Sequence, residues 1–229
     1  MDMVNTIALD GPAASGKSTV GEKLAEYLGY LFFDTGVMYR AITLAAIEAG
    51  IQVEDEQACT KLAEETQIDV RPPSKSDGRR NDILIGGEDK TWEIRSSKVD
   101  AYVSVVSAYP GVRQALTEKQ RAIGKRGKVV MVGRDIGTVV MPDATLKIYL
   151  DASVEERARR RFQERVSRGE SADYEQVLEI LRQRDLIDSS RDVAPLRPAE
   201  DAVLIDSDSM SAQQVLARLL ALVAEKDLR

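Results

Sequence analysis

The chain has 229 residues, 43% of them hydrophobic and 31% charged, with a formal net charge of −6. This composition predicts a soluble globular protein with one substantial core, and the negative charge argues against binding of duplex nucleic acid, which favours a basic face. The sequence contains no histidine and one cysteine, Cys59, which excludes Ser–His nucleophile systems, histidine metal sites and an internal disulfide framework.

The N-terminus does not resemble a secretory signal peptide. The acidic Asp2 stands there, and the first predicted strand follows at once. No apolar run is long enough to cross a bilayer. We therefore expect a cytoplasmic protein.

Residues 11–18 read Gly-Pro-Ala-Ala-Ser-Gly-Lys-Ser, between an apolar strand-like run at 4–10 and a helix-like stretch at 19–28. This order is typical of a phosphate-binding loop. Its glycines let backbone N–H groups turn toward a polyphosphate, Lys17 reaches the β and γ oxygens, and the Ser18 hydroxyl can ligate Mg²⁺. The helix that follows points its positive end at the same anion. We therefore predict that a nucleoside triphosphate binds here, at Gly11, Pro12, Ala13, Ala14, Ser15, Gly16, Lys17, Ser18 and Thr19.

Strand-like and helix-like stretches alternate along most of the chain, which predicts an α/β fold with a mostly parallel sheet. In such sheets ligands bind beyond the carboxyl ends of the strands, so we expect Asp34 and Thr35 to face the same crevice as Lys17. Further strands are predicted at 31–33, 129–132, 145–150 and 202–206, and helices at 38–49, 54–66, 174–186 and from Ser211 onward.

The alternation is interrupted in the middle of the chain. Proline and glycine turn signals at 71–74 and 76–78 precede a short strand-like run at 82–87. We predict a small β insertion at 67–92. Residues 94–123 are helical in character, with a break at Pro110-Gly111.

Arginine is concentrated in a stretch that opens with a Ser153-x-x-Glu156 capping box, and more arginines follow in the next helix. Such paired helices suit the lid of a small-molecule kinase, which closes over the transferring phosphate and excludes water. Each guanidinium can hold two phosphate oxygens. An Asn-Lys-x-Asp element for GTPase base recognition is missing. The arginines are Arg157, Arg159, Arg160, Arg161, Arg165 and Arg168, then Arg182, Arg184 and Arg191.

An acceptor site is indicated at residues 34–40, Asp-Thr-Gly-Val-Met-Tyr-Arg, which open a helix. Tyr39 and Arg40 then lie within about one turn of its anion-attracting end. Arg134 stands at the end of a neighbouring strand, and two arginines near the loop suit an acceptor that bears a phosphate. Tyr39 fits direct contact or packing as an aromatic side chain equally well.

The chain resembles the bacterial cytidylate (CMP) kinases, a group of P-loop nucleoside monophosphate kinases. The Gly-Arg-Asp-Ile-Gly-Thr and Thr-Gly-x-x-Tyr-Arg motifs are far more discriminating than the phosphate loop. The resemblance implies one three-layer P-loop domain, 1–229, with a central parallel sheet. It further implies a nucleoside-monophosphate-binding region at approximately 36–125, containing the β insertion, and a helical lid at 153–192. The matching segments are 10–19, 34–40, 93–95, 109–113, 133–138 and 193–196.

This resemblance implies transfer of the γ-phosphoryl group of Mg-ATP to CMP or dCMP, in pyrimidine nucleotide metabolism. Because no large apolar surface helix is evident, we expect a monomer. Its substrates are small molecules, and the net charge and the lack of a long apolar run predict no nucleic-acid or membrane partner. Two alternatives stay open: another small kinase, for UMP, AMP or shikimate, and a regulatory or motor ATPase that drives a partner.

The resemblance also implies roles for individual residues. Cytosine carries an exocyclic amino donor that a carboxylate such as Asp135 accepts, whereas uracil presents a carbonyl there. For Ser104, a helix serine bonded to its own backbone is nearly as good an interpretation. The implied assignments are Ser104, Arg113 and Asp135 for the base; Arg184 and Asp188 for the ribose; Arg40, Arg134 and Arg191 for the acceptor phosphate; Arg157 and Arg161 for the lid; and Thr35 and Tyr39 as further substrate contacts.

One position departs from the family pattern. Many relatives have an acidic residue immediately before the Gly-Arg-Asp segment, and this chain has Val132. A carboxylate at the end of this strand commonly supports magnesium in phosphate-loop enzymes. Our hypothesis is that Ser18 and water carry most of the coordination, with help from Asp34 or Asp10.

Overall fold

The computed structural model describes residues 4–167 and 169–228; Asp2 and Arg168 lie outside this part. The chain forms two compact units. The phosphate-loop unit runs to Tyr30 and resumes at Lys128, and the inserted unit is Leu31–Gly127. The strands are β1 (Thr6–Asp10), β2 (Leu31–Asp34), β3 (Ile68–Arg71), β4 (Asp82–Ile85), β5 (Glu88–Asp89), β6 (Val129–Val132), β7 (Leu146–Asp151) and β8 (Val203–Asp206). The α-helices are α1 (Lys17–Leu28), α2 (Gly36–Glu48), α3 (Glu56–Glu65), α4 (Ser97–Val106), α5 (Pro110–Gly124), α6 (Val154–Ser167), α7 (Tyr174–Ser189) and α8 (Ala212–Asp227).

The phosphate-loop unit contains parallel strands in the order β6-β1-β7-β8. Leu9 of β1 stands beside Val132 of β6 and Ile148 of β7, and all three side chains are buried. Strands β1 and β6 are near-continuous apolar runs because helices cover a parallel sheet on both faces. Helix α1 packs against β6 and α8, and α6 packs against α7. The predicted α/β fold with a parallel sheet is confirmed.

The parallel direction of these strands decides where the motifs lie. Strand β1 runs into the phosphate loop, and the neighbouring β6 runs into the Gly-Arg-Asp segment at 133–138. Parallel strands end at the same edge of a sheet, so the two motifs meet there. That segment continues into a π-helical turn, Ile136–Val140, which sequence reasoning did not anticipate.

The helix ends follow the sequence signals with one exception. Gly29 ends α1 with φ of 66°, and Ser211 and Gln214 form a reciprocal capping box at α8. At α6 only half of the predicted box exists. The Ser153 hydroxyl accepts from Glu156 N at 3.3 Å, but Ser153 N donates to Asp208. The Glu156 carboxylate is instead occupied by arginines of its own helix.

The inserted unit contains an antiparallel sheet, β3-β4-β5, in which Val70 stands beside Ile83 and Ile85 beside Glu88. Helix α2 packs against α4 and against the 3₁₀ turn Glu93–Arg95, and α3 packs against α5. Pro110, predicted as a break, stands at the first turn of α5, where proline is tolerated because its missing N–H needs no partner.

A buried arginine holds the loops of this small sheet together. The Arg79 side chain is 3% exposed and pairs with Asp77, Asp82 and Asp89, each at 2.8 Å. We call these four residues the Arg79 cluster. Hydrogen bonds from Arg79 lower the pKa of Asp77 well below its usual range. Hydrogen bonds from Thr91 and Arg79 do the same for the pKa of Asp89.

Across the described ranges, 4–167 and 169–228, no helix has both the length and the apolar character needed to span a membrane.

Candidate active site

Two glycines give the phosphate loop its shape. Gly11 has φ of 144°, and a Cβ at this position would stand 2.1 Å from the backbone oxygen of Leu150 in β7. Gly16 has φ of 93° and precedes the first residue of α1. Only glycine adopts both conformations without strain, and only a residue lacking Cβ lets the loop approach β7 this closely.

Lys17, the first residue of α1, is 4% exposed. Its ammonium donates to the Pro12 carbonyl at 2.5 Å and to the Ser15 hydroxyl at 3.3 Å. A permanent positive charge therefore lies against the loop, next to the positive end of a helix. These are the elements that bind a polyphosphate.

Asp10 links the phosphate loop to the Gly-Arg-Asp segment. Its two oxygens accept from the backbone N–H groups of Ile136, at 2.8 Å, and Gly137, at 2.7 Å. Burial raises the pKa of Asp10 to about 6, although these bonds and the Lys17 charge lower it. The carboxylate thus fixes the turn that follows Asp135. Because backbone N–H groups bind both of its oxygens, Asp10 is poorly placed to assist magnesium.

The Asp188 carboxylate lies close to three of the predicted arginines. This buried carboxylate accepts from Arg134 Nε at 3.0 Å and from Arg191 Nη2, and Arg184 Nε lies 4.0 Å away. Burial opposes ionisation of Asp188, but the three guanidinium groups outweigh it and lower its pKa. Residues from the segment after β6, from α7 and from the segment after α7 are thereby joined at one point.

Asp135 follows β6 and is 5% exposed. Its backbone oxygen accepts from Val139 N at 2.9 Å and from Val140 N at 3.1 Å, so the residue begins the π-helical turn. The turn and the Asp10 bonds together hold Asp135 at a defined place at the edge of the sheet.

The two predicted lid arginines have different surroundings. Arg157 is 4% exposed and forms a bidentate pair with Asp185 of α7. Arg161 is 44% exposed and pairs with Glu164 on its own helix at 2.8 Å. The structure therefore places Arg157 inside the protein and Arg161 at its surface.

In the inserted unit, α2 begins at the predicted acceptor motif. Thr35 is buried at the start of this helix, and the Asp34 carboxylate accepts from Gly36 N at 3.0 Å. Arg40 donates to the Ile94 carbonyl at 3.1 Å and to Asp100 at 2.7 Å. These bonds tie α2 to the 3₁₀ turn and to α4.

The predicted base-binding residues of this unit, Arg113 and Ser104, are connected through Ser107. Arg113, which is buried, lies with its guanidinium carbon 5.4 Å from the centre of the Tyr39 ring and donates to the Ser107 carbonyl at 3.1 Å. The Ser107 hydroxyl in turn donates to the Ser104 carbonyl at 3.1 Å. Ser104 is half-buried in α4. Tyr39 therefore both packs and supports a charged group.

Three functional features were not identified from the sequence. They are the pairing of Asp185 with Arg157, the Asp10 hydrogen bonds to residues 136 and 137, and the contact of Arg160 with Ser207 at 3.1 Å. Ser207 follows β8 directly, which marks a ligand-facing position in a parallel sheet. The other two pairs join distant residues and leave no local signal.

The magnesium ion implied by the family fits the residues present. In the described part of the chain, no three His, Cys, Asp or Glu side chains form a metal-binding group. Mg²⁺ does not require one, because it commonly keeps several waters and binds substrate phosphates with few protein ligands. Ser18 stands in the first turn of α1, directly after Lys17, and provides such a ligand.

A family model described as cytidylate kinase matches residues 7–225. The chain belongs to the cytidylate kinase family. It is 50% identical to the cytidylate kinase of Herpetosiphon aurantiacus, over 97% of this chain and 96% of the relative. It is 51% identical to that of Roseiflexus castenholzii, over 99% and 96%. Among solved structures it is similar to a shikimate kinase from Acinetobacter baumannii in complex with shikimate, with a TM-score of 0.47, 19% identity, and 99% and 96% coverage.

Proposed function

We propose that this protein transfers the γ-phosphoryl group of Mg-ATP to CMP or dCMP, giving ADP and CDP or dCDP. The observation that supports this proposal is the pair of hydrogen bonds that the Asp10 carboxylate accepts from the backbone N–H groups of Ile136 and Gly137, in a chain of the cytidylate kinase family. These bonds join a donor loop to the family's Gly-Arg-Asp segment.

The donor side uses residues 11–19. Backbone N–H groups of the loop bind the β- and γ-phosphates, Lys17 neutralises charge on the migrating group, and the Ser18 hydroxyl holds magnesium. A magnesium ion held there would neutralise negative charge on the transferring phosphates.

The phosphate of the acceptor is bound by arginines. The acceptor phosphate is neutralised by Arg40, Arg134 and Arg191, which also align it for attack. An oxygen of that phosphate attacks the γ-phosphorus, the bond to the β-phosphate oxygen breaks, and ADP leaves. This oxygen is already ionised near neutral pH, so a chain without histidine lacks no general base.

The nucleoside is recognised by polar side chains. Asp135 accepts from the exocyclic amino group of cytosine, while Arg113 and Ser104 donate to ring acceptors. Thr35 and Tyr39 contribute further contacts. Arg184 and Asp188 bind the ribose. Asp188 has a second task, because it also orients the arginines that hold the phosphate.

We further propose a domain organisation, a cellular location and an oligomeric state. The chain is one kinase domain, 1–229, with a nucleoside-monophosphate-binding region at approximately 36–125, a β insertion at 67–92 and a lid at 153–192. The lid carries Arg157 and Arg161, the two arginines that the family resemblance assigns to it. The enzyme works in the cytoplasm as a monomer, on small-molecule substrates, without a nucleic-acid or membrane partner.

A coupled ADP-release assay across CMP, dCMP, UMP, AMP and shikimate tests the activity. We expect ADP release to depend on CMP or dCMP. Equal release with and without every acceptor would favour an ATPase that drives a partner, and the fastest release with another acceptor would identify a different small kinase. Sedimentation of the purified protein, with and without nucleotides, tests whether it is a monomer.

A further inference from the structure

We propose that Arg157 and Asp185 form a brace that sets the conformation of the phosphate loop, and that Arg157 acts through the loop backbone rather than on a phosphate. This proposal rests on the proposed donor site. It refines the role of Arg157 and identifies Asp185 as a positioning residue.

The first observation is that protein acceptors bind four of the five N–H groups of the Arg157 guanidinium. Its Nε donates to the Ala152 carbonyl at 2.9 Å, and its Nη1 donates to the Ala13 carbonyl at 3.1 Å. Both Nη atoms pair with Asp185, at 3.1 and 2.5 Å. The side chain is 4% exposed. Direct contact with a phosphate would require a buried charge to abandon these partners, which is costly.

The second observation is the position of Ala13 within the loop. Its side chain packs into a buried apolar cluster formed by Ala158 of α6 with Val177, Leu178 and Leu181 of α7. The next residue, Ala14, has φ of 61°, a backbone conformation that is strained for a residue with a Cβ. A strained conformation persists only where its surroundings hold it. Packing and the Arg157 bond hold it here.

The third observation is that cationic side chains approach three carbonyls of the loop. Lys17 donates to the carbonyl of Pro12, Arg157 to that of Ala13, and Arg160 lies 3.5 Å from that of Ser15. In a planar peptide the N–H points away from the C=O. Fixing the Ala13 carbonyl against Arg157 therefore directs the N–H of Ala14 to the opposite side, which is the side on which we place the donor phosphates.

Asp185 completes the brace because a guanidinium has several rotamers and the carboxylate selects one. It is 28% exposed and stands on α7, so it also ties the second arginine-rich helix to the loop. The first turns of α6 and the last turns of α7 are thereby joined to the donor site. Any closing motion of this region would have to proceed without breaking that connection, or would release the loop.

The matched control is a second ion pair between the same helices. Arg182 of α7 pairs with Glu155 of α6 at 3.1 Å, and both side chains are more than half exposed. This pair does not touch the loop. Arg182→Gln therefore removes a contact between α6 and α7 and leaves the brace intact.

The test compares Asp185→Asn, Arg157→Lys and Arg182→Gln in the full-length enzyme. We measure ADP binding by calorimetry without an acceptor, and KM for ATP, KM for CMP and kcat by coupled assay. For Asp185→Asn we expect about tenfold weaker ADP binding, a matching rise in KM for ATP, and KM for CMP changed by less than about twofold. The ADP affinity of Arg157→Lys should lie between those of the wild type and Asp185→Asn, because an ammonium keeps the positive charge but cannot make the two-point pairing with Asp185. Arg182→Gln should bind ADP like the wild type.

Three results would overturn the brace. One is unchanged ADP binding in Asp185→Asn. Another is a higher kcat in that variant, which would mean that Asp185 restrains an arginine that acts on the phosphate directly. The third is an equal loss of ATP and CMP affinity, which would indicate a general structural effect. ADP binding is measured without an acceptor, so the outcome does not depend on whether CMP is the substrate.

Discussion

Gly137 donates its backbone N–H to a carboxylate oxygen of Asp10 at 2.7 Å, across 127 residues of sequence. Ile136 binds the other oxygen of the same carboxylate at 2.8 Å. A side chain that immediately precedes the phosphate loop thus sets the backbone that immediately follows Asp135. The phosphate loop and the residue that we propose for base recognition share this support, which makes Asp10 an informative position to change.

Asp10→Asn keeps the shape of the side chain but places an NH₂ group against one of the two backbone donors. One buried N–H then loses its acceptor, at a cost of about 1–3 kcal/mol. We expect kcat/KM for CMP to fall by about tenfold and the preference for CMP over UMP to shrink. Asp143→Asn, at an exposed turn, is the control and should behave like the wild type. Full activity of Asp10→Asn would show that the two bonds do not position the segment.

The raised pKa of Asp10 adds a pH dependence to the same comparison. Burial raises this pKa to about 6, so the carboxyl gains its proton as pH falls through that value. Protonated Asp10 resembles asparagine, and the ratio of wild-type to Asp10→Asn activity should therefore decline below pH 6. The second ionisation of the acceptor phosphate, with a pKa of about 6, affects both proteins equally and cancels in the ratio. A ratio that is constant from pH 5 to 8 would contradict this prediction.

Lys17→Ala removes the ammonium that lies against the loop. We expect kcat to fall by at least about 10²-fold, because a fixed charge on the migrating phosphoryl group is lost. Circular dichroism should show a folded protein with a similar melting profile. Single-turnover measurements with saturating nucleotides separate this loss from weaker binding. A variant with near-normal kcat would exclude residues 11–18 as the catalytic loop.

Gly11→Ala should disable the donor site through backbone geometry. The added Cβ would stand 2.1 Å from the Leu150 oxygen, so either the loop or β7 must move. We expect ADP binding to weaken by at least about tenfold. Gly29→Ala provides the control, since Gly29 also has positive φ but a Cβ there meets nothing within 4 Å. Calorimetry on the two variants distinguishes the clash from the general cost of alanine at positive φ.

Asp135→Ala tests recognition of the base. The carboxylate is the proposed acceptor for the exocyclic amino group, so its removal should reduce the preference for CMP over UMP by about 1–3 kcal/mol. The measurement is the ratio of kcat/KM values for the two acceptors. Unchanged selectivity would show that the base is recognised elsewhere.

The Arg79 cluster predicts an acid-sensitive inserted unit. The pKa values of Asp77 and Asp89 lie below their usual range, so their ionised forms stabilise the folded state at pH above about 4. That stability is lost as pH falls further and the carboxylates are protonated. We expect Asp89→Asn to be less stable than the wild type at pH 7, and the difference to shrink as the pH falls below about 4. Urea unfolding of both proteins between pH 7 and 3 measures this; a difference that grows toward low pH would contradict the assignment.

Local signals explain why so much of the fold was predictable. Residues 129–132 are a bare apolar run and form β6; Ser211 with Gln214 marks the start of α8, and Gly29 the end of α1. In each case the residues that give the signal are those that make the contact. The phosphate loop belongs to the same class, because the residue types at 11–18 and their spacing specify its chemistry.

The relationships that the sequence did not reveal join residues distant along the chain. Arg157 and Asp185 are 28 residues apart on separate helices, and a lone Arg or Asp on a helix reads as a solvated side chain. Only one of the two hydrogen bonds of the predicted capping box at Ser153 forms. The Glu156 carboxylate pairs instead with Arg159 and Arg160, one turn further along its own helix. Asp10 was considered only as a magnesium ligand, since nothing local indicates which backbone donors a buried carboxylate will meet.

A side chain that balances three carboxylates cannot be exchanged on its own. Loss of Arg79 would leave Asp77, Asp82 and Asp89 to repel one another within one small sheet. Among homologues we expect these four positions to be conserved together or replaced together. Other positions of the inserted unit should vary one residue at a time.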